Sequence, residues 1–127
     1  MRLPRVLLVD DTPEVLTLCV ELLKPNYDIV GTVPDGKSAI AAFAATSPDV
    51  VVLDVSMPGL DGMEVAKRLR TSGCMAPIVF LSGEMEFMMS AMEAGGSGFV
   101  TKARIVSDLP LAIREALAGR VFLSISE

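Results

Sequence analysis

Two short apolar runs end in acid, V-L-L-V-D-D at residues 6–11 and V-V-V-L-D at 50–54, and a lysine closes G-F-V-T-K at 98–102. Continuous Val and Leu runs bounded by polar residues read as strands buried on both faces. In one parallel sheet such strands would deliver Asp10, Asp11 and Asp54 to the same end. Two carboxylates about 4 Å apart repel by roughly 1 kcal/mol in water and about 4 kcal/mol at an effective dielectric near 20. The cluster therefore wants positive charge, which a divalent cation and Lys102 would both supply. Hard oxygen donors without His or Cys favour Mg²⁺, with Mn²⁺ as the alternative. Mg²⁺ takes only one or two carboxylates, which leaves room for water and a phosphoryl oxygen.

Composition narrows the chemistry further. The 127 residues, 51% of them hydrophobic, suit one domain with a continuous core. A net charge of −5 argues against unaided binding to nucleic acid or to an anionic membrane, which Lys and Arg largely hold. The chain has no histidine, which removes Ser-His-Asp and Cys-His mechanisms and histidine metal sites and leaves carboxylate chemistry. Cys19 and Cys74 lie far apart and form no C-x-x-C pattern, so they read as buried reduced thiols, consistent with a cytoplasmic home. The N-terminal apolar stretch is too short for a signal peptide, and no run approaches a membrane span.

Five Val/Ile/Leu runs alternate with five helical patterns, the signature of βα units around a parallel sheet. Strands are expected at 5–9, 27–31, 50–53, 77–81 and 98–101. Thr12 is expected to cap the first helix, whose apolar face is Val15, Leu18, Cys19, Leu22 and Leu23. The second helix opens at Asp35-Gly36 and packs through Ala39, Ile40, Phe43 and Ala44. Asp61-Gly62 reads as a turn and helix start rather than a metal ligand, and Met63, Val65, Ala66 and Leu69 follow on one face. Met85, Met88, Met89 and Met92 fall at helical spacing over 85–94 and read as core packing, with Phe87 more exposed. The last helix is expected to start near Ser107-Asp108 and to stop at Gly119.

The pieces V-D-D at 9–11, V-V-L-D-V-S-M-P-G-L-D-G at 51–62, F-L-S-G at 80–83 and E-A-G-G-S-G-F-V-T-K at 93–102 stand in family order and spacing. Together they resemble the receiver domain of bacterial two-component response regulators over roughly residues 4–118. The resemblance implies a flavodoxin-like, doubly wound α/β fold, with a five-stranded parallel sheet of order 2-1-3-4-5 and five helices. It implies that Asp54 is the phosphoacceptor, and that Asp10, Asp11, Asp54 and the main-chain carbonyl of Ser56 hold Mg²⁺. Ser82 and Lys102 would contact the phosphoryl group, Phe99 stands at the aromatic switch position, and Ser56 and Glu84 flank the site where phosphoryl lifetime is tuned. The implied donor is a histidine kinase or histidine phosphotransfer protein. The readout surface would be helix four, strand five and helix five, facing an output domain, a partner protein or a phosphorylation-dependent second copy.

Two departures stand out. Ala103 follows Lys102 where the family often has Pro and a cis peptide, and a cis non-proline bond costs about 2.5–4 kcal/mol. Gly96 stands where Ala is common and is expected to loosen the approach to strand five. The segment A-I-R-E-A-L-A-G-R-V-F-L-S at 112–124 looks like the close of receivers in LuxR-type regulators. Residues 1–118 are therefore assigned to the receiver, and 119–127 to a tail or the start of a linker toward a helix-turn-helix domain. Val121, Phe122, Leu123 and Ile125 would pack back or join a partner if the chain stands alone. A phosphorylation-independent interaction module is the main rival reading. A metal-dependent phosphatase would need an acid-base carboxylate two residues after Asp54, where Ser56 stands, and a flavodoxin-like cofactor protein would need a phosphate-cradling loop after strand one, where Asp10 and Asp11 stand.

Overall fold

The computed structural model describes residues 2–124. The Val and Leu runs have no polar side chain to offer water, and they form the inner strands: β1 (Arg5–Val9), β3 (Val50–Asp54), β4 (Ile78–Ser82) and β5 (Gly98–Thr101). The half-buried β2 (Asp28–Val33) lies at one edge and a two-residue β6 (Phe122–Leu123) at the other. All neighbouring strands are parallel, in the order β2-β1-β3-β4-β5-β6. The expected flavodoxin-like order is present, and the tail adds a sixth strand to it.

Helices cover both faces. Leu7, Val51, Leu53 and Phe80 meet α2 (Gly36–Thr46), α3 (Gly62–Thr71) and α4 (Met88–Glu93) on one side. Val6, Leu8, Val52 and Leu81 meet α1 (Pro13–Leu23) and α5 (Ile105–Leu117) on the other. Alternate side chains of a strand point to opposite faces, so a strand covered on both faces is apolar throughout its middle, with polar residues such as Arg5, Asp54, Ser82 and Thr101 confined to its ends. Asp35 and Asp61 cap α2 and α3 by accepting the Ser38 and Glu64 amides at 2.7 and 2.9 Å, which places Asp61 in the structural role expected for it.

Several local expectations need correction. Thr12 occupies the N-cap of α1 but its hydroxyl makes no capping bond. Its amide donates to Asp10 Oδ1 at 2.8 Å instead. Leu18 and Ala44 face outward, and Leu16 and Ala42 pack in their place. Met85–Phe87 forms a 3-10 turn before α4, and its three residues per turn rotate the face that follows. Phe87 therefore packs on the core beside Met85, Met88 and Met92, while Met89 is 67% exposed. Helix α5 starts at Ile105, so Asp108 lies buried inside it rather than at its cap.

No peptide among the described residues is cis, so Lys102–Ala103 is trans. Gly96 makes room rather than loosening the chain: a Cβ there would stand 2.9 Å from the Phe80 ring and 3.0 Å from the Ala91 carbonyl oxygen. Phe122 packs back onto the α1/α5 face, Val121 and Leu123 are exposed, and Ile125 lies outside the described residues.

Candidate functional site

The chain leaves β1 toward one edge to form β2 and crosses to the other side of β1 to form β3. Strand order reverses there, and the crevice beyond the carboxyl ends of β1 and β3 is the natural ligand position of such a sheet. Asp10 and Asp11 follow β1, Asp54 ends β3, Ser82 ends β4, and Lys102 follows β5 in a 3-10 turn (Lys102–Arg104). The register pairs Asp54 with Leu81 and Ser82 with Thr101, which brings these strand ends level.

Ligand oxygens of Asp10, Asp11 and Asp54 lie within 4.8 Å of one another. Asp10 and Asp54 are buried and Asp11 is exposed. The Lys102 ammonium stands 3.0 Å from Asp10 Oδ2 and 3.2 Å from Asp54 Oδ2. Each buried carboxylate is oriented through its other oxygen: Oδ1 of Asp10 by the Thr12 amide, Oδ1 of Asp54 by the Ser56 amide at 3.2 Å. The second bond holds the loop bearing the Ser56 carbonyl beside Asp54.

Burial, reinforced by the Asp10 charge, lifts the Asp54 carboxyl to about 6, against the opposing pull of Lys102 and the Ser56 amide. Burial alone would lower the Lys102 ammonium, but contact with Asp10 and Asp54 outweighs it and leaves the lysine more firmly charged than usual. The Cys19 thiol behind the cluster is raised to about 11 by burial and by Asp10, which keeps it protonated and unreactive.

The cluster has the properties of a divalent-cation site. Oδ2 of Asp10 and Oδ2 of Asp54 are buried, and neither receives a hydrogen bond of good geometry despite the nearby ammonium. A buried carboxylate oxygen without a donor is costly, and a hard cation satisfies it. Three carboxylates against one ammonium also leave a charge deficit that a divalent ion would balance.

Not every expected residue reaches the cluster. The Ser82 hydroxyl is buried but turned to the loop after β4, donating to the Glu84 carbonyl and accepting the Glu84 amide, both at 3.0 Å. The exposed Glu84 carboxyl is raised by its hydrogen bond with Glu86 and that residue's charge. Phe99 is fully buried in β5 opposite Phe80. Two residues beside the site were not read as part of it from the sequence, Asp108 being taken as a helix start. Asp108 and Ser124 join by a 2.7 Å buried hydrogen bond next to the Lys102 turn. The i, i+4 spacing of Arg104 and Asp108 was the available signal for the first.

The model of the response regulator receiver domain matches residues 6–114. The chain belongs to this family. The receiver resembles the nitrate/nitrite response regulator protein NarL of Escherichia coli strain K12, with 32% identity over 123 residues, 94% of this chain and 57% of that one. It is 35% identical over 118 residues to the transcriptional regulatory protein TcrA of Mycobacterium tuberculosis, covering 91% of this chain and 46% of that one. The crystal structure of a LuxR-family two-component response regulator from Aurantimonas sp. SI85-9A1 superimposes with a TM-score of 0.90 at 35% identity, covering 96% of this chain and 90% of that one. The receiver is thus a signalling domain whose relatives include transcriptional regulators, and it spans about half the length of the curated relatives it matches. No helix among the described residues is long and apolar enough to cross a membrane.

Proposed function

We propose that the receiver accepts a phosphoryl group on Asp54 and relays its presence to the surface formed by α4, β5 and α5. The observation that carries this reading is the buried Oδ2 of Asp54, which receives no hydrogen bond of good geometry and shares the Lys102 ammonium with Asp10. Phosphoryl transfer needs an aligned nucleophile and fixed positive charge more than covalent help. Asp54 attacks phosphorus, a new P–O bond forms, and the P–N bond to a donor imidazole breaks as that ring leaves. The donor that the family implies is a phosphohistidine of a histidine kinase or phosphotransfer protein, and these 127 residues hold no histidine of their own to serve instead.

Asp10, Asp11, Asp54 and the Ser56 carbonyl would hold Mg²⁺, which supplies charge neutralisation at the phosphoryl oxygens. Lys102 turns from the bare carboxylates to the phosphoryl group. The Ser82 hydroxyl leaves its two Glu84 main-chain partners and donates to a phosphoryl oxygen, drawing the loop after β4 inward. That movement couples to Phe99 through β4 and β5, where Phe80 and Phe99 are neighbours. Ser56 and Glu84 flank the approach of water and set the phosphoryl lifetime. The output is read by a further domain of LuxR type, a partner protein or a second copy, in the cytoplasm, and this segment itself holds no nucleic acid.

Intact mass after incubation with a small-molecule phosphoryl donor tests the reading. The expected result is a gain of one phosphoryl group that needs Mg²⁺. No gain in a folded protein that binds Mg²⁺ and is offered phosphohistidine donors as well would return the chain to a phosphorylation-independent interaction module.

A further inference from the structure

Lys102 is the one cationic side chain described at the cluster, and it sits on a short turn without a side-chain cap. The family's Pro after the lysine, which would restrict that turn, is Ala103 here. Some other feature must hold the chain at 101–104. The carboxylate of Asp108, 3% exposed, lies beneath it. Its Oδ2 accepts the Arg104 Nε at 2.9 Å and the Ser124 hydroxyl at 2.7 Å, and its Oδ1 accepts the Ser107 hydroxyl at 2.9 Å. Ser124 Oγ in turn accepts the Thr101 amide at 3.2 Å, and the Ser124 amide donates to the Phe99 carbonyl at 2.8 Å.

Both ends of the lysine turn are therefore tied to one buried carboxylate, Arg104 directly and Thr101 through Ser124. Between those ties lie only Lys102 and Ala103. Thr101 has no ladder partner on β6, whose register ends at Leu123 opposite Phe99, so the Ser124 hydroxyl takes up an amide that the short strand leaves behind. A serine 1% exposed and an aspartate buried in a helix are costly choices unless their polar atoms are used, and these are.

We propose that Asp108 and Ser124 are positioning residues for Lys102: together they hold the Thr101 amide and the Arg104 guanidinium on either side of the lysine and so aim its ammonium at Asp10 and Asp54. The inference rests on the phosphoacceptor reading for its consequence in phosphorylation, and on geometry alone for the clamp. It also ties the segment after α5 to the phosphorylation site. Loss of that segment's docking weakens the site, and by linkage a change at the site shifts the docking.

Ser124→Ala, with Ser97→Ala as the control at the opposite end of β5, tests this in the full chain. Three readouts are needed: amide exchange at Thr101, the Lys102 side-chain resonance in the unphosphorylated protein, and the rate of phosphorylation by a small-molecule donor at saturating Mg²⁺. Ser124→Ala is expected to lower Thr101 protection about tenfold, to shift the Lys102 resonance, and to slow phosphorylation about tenfold with Mg²⁺ affinity unchanged. Ser97→Ala is expected to change none of these. Asp108→Asn is expected to reproduce the slowing by loosening both ties.

Unchanged Thr101 protection and Lys102 resonance in Ser124→Ala would overturn the clamp. So would a slowing matched by Ser97→Ala, which would mark a general weakening of β5. If the unaltered protein takes up no phosphoryl group while Ser124→Ala still moves the Lys102 resonance, the phosphoacceptor reading fails and the clamp stands.

Discussion

Gly62 lies against the main chain of Asp54 so closely that a Cβ on it would stand 2.0 Å from the Asp54 carbonyl oxygen. The first turn of α3 thus abuts the end of β3, and the Gly62 amide donates to the Val55 carbonyl at 2.9 Å. Asp54 is held from behind by a helix that only glycine allows so near.

Gly62→Ala is therefore expected to push α3 off the end of β3. Overpacking of this kind costs about 1–3 kcal/mol. Urea denaturation should show that loss, and Mg²⁺ affinity should fall with it, because the displaced backbone carries Asp54 and Ser56. An unaltered stability would mean that α3 yields freely at this contact.

Asp54→Asn is expected to stabilise the metal-free protein. A carboxyl lifted from 3.8 to about 6 on folding costs nothing where both states are protonated, and its cost is complete above the folded value. The variant's advantage should be absent below pH 3.8, grow to about pH 6 and then stay level. After allowance for solvent screening it should reach about 1 kcal/mol. Denaturant midpoints across pH in chelator check this, and a variant less stable than the parent at pH 7 would contradict it.

Asp108 gives the opposite slope. Burial raises its carboxyl, but hydrogen bonds from Arg104, Ser124 and Ser107 prevail and hold it below 3.8. A depressed folded-state value adds stability that is present above the unfolded value and is lost as pH falls through the folded one. Asp108→Asn should therefore lose stability at neutral pH and show a shallower acid limb below pH 3.8. Parallel acid limbs for parent and variant would show that the carboxylate is not selectively stabilised.

Gly96→Ala would install the family's common residue and is expected to destabilise, because its Cβ meets the Phe80 ring at 2.9 Å. The same change in a Phe80→Leu background should cost less by about 1 kcal/mol, the coupling typical of residues in contact. A double-mutant cycle on denaturation midpoints decides the point, and strict additivity would rule the contact out.

The four inner strands were legible because each is buried on both faces, which forces an unbroken apolar run such as Val50–Leu53. The acids at their ends were legible for the same reason, since a run ending in Asp-Asp or Leu-Asp marks where the sheet opens. The sixth strand was not. Phe122-Leu123 is too short to carry a period, and it forms only because β5, distant in the chain, offers an edge. The face of α4 was misread at Phe87 and Met89 because one 3-10 turn changes the phase of a four-methionine pattern that fits an α-helix. Ser107-Asp108 has the composition of a helix start, yet Asp108 is committed to Ser124, a tertiary partner that local pattern does not reveal. The orientation of Ser82 toward Glu84 was equally hidden, being a choice of side-chain rotamer.

Reductive trapping asks whether Asp54 carries the phosphoryl group. Borohydride reduces an aspartyl phosphate to homoserine, so protein phosphorylated with Mg²⁺ present, reduced and digested should yield the peptide spanning Asp54 with homoserine at that position. Without Mg²⁺ that peptide should keep its aspartate. Homoserine at Asp10 or Asp11 instead, or a stable phosphoryl group on a serine or threonine, would contradict the account.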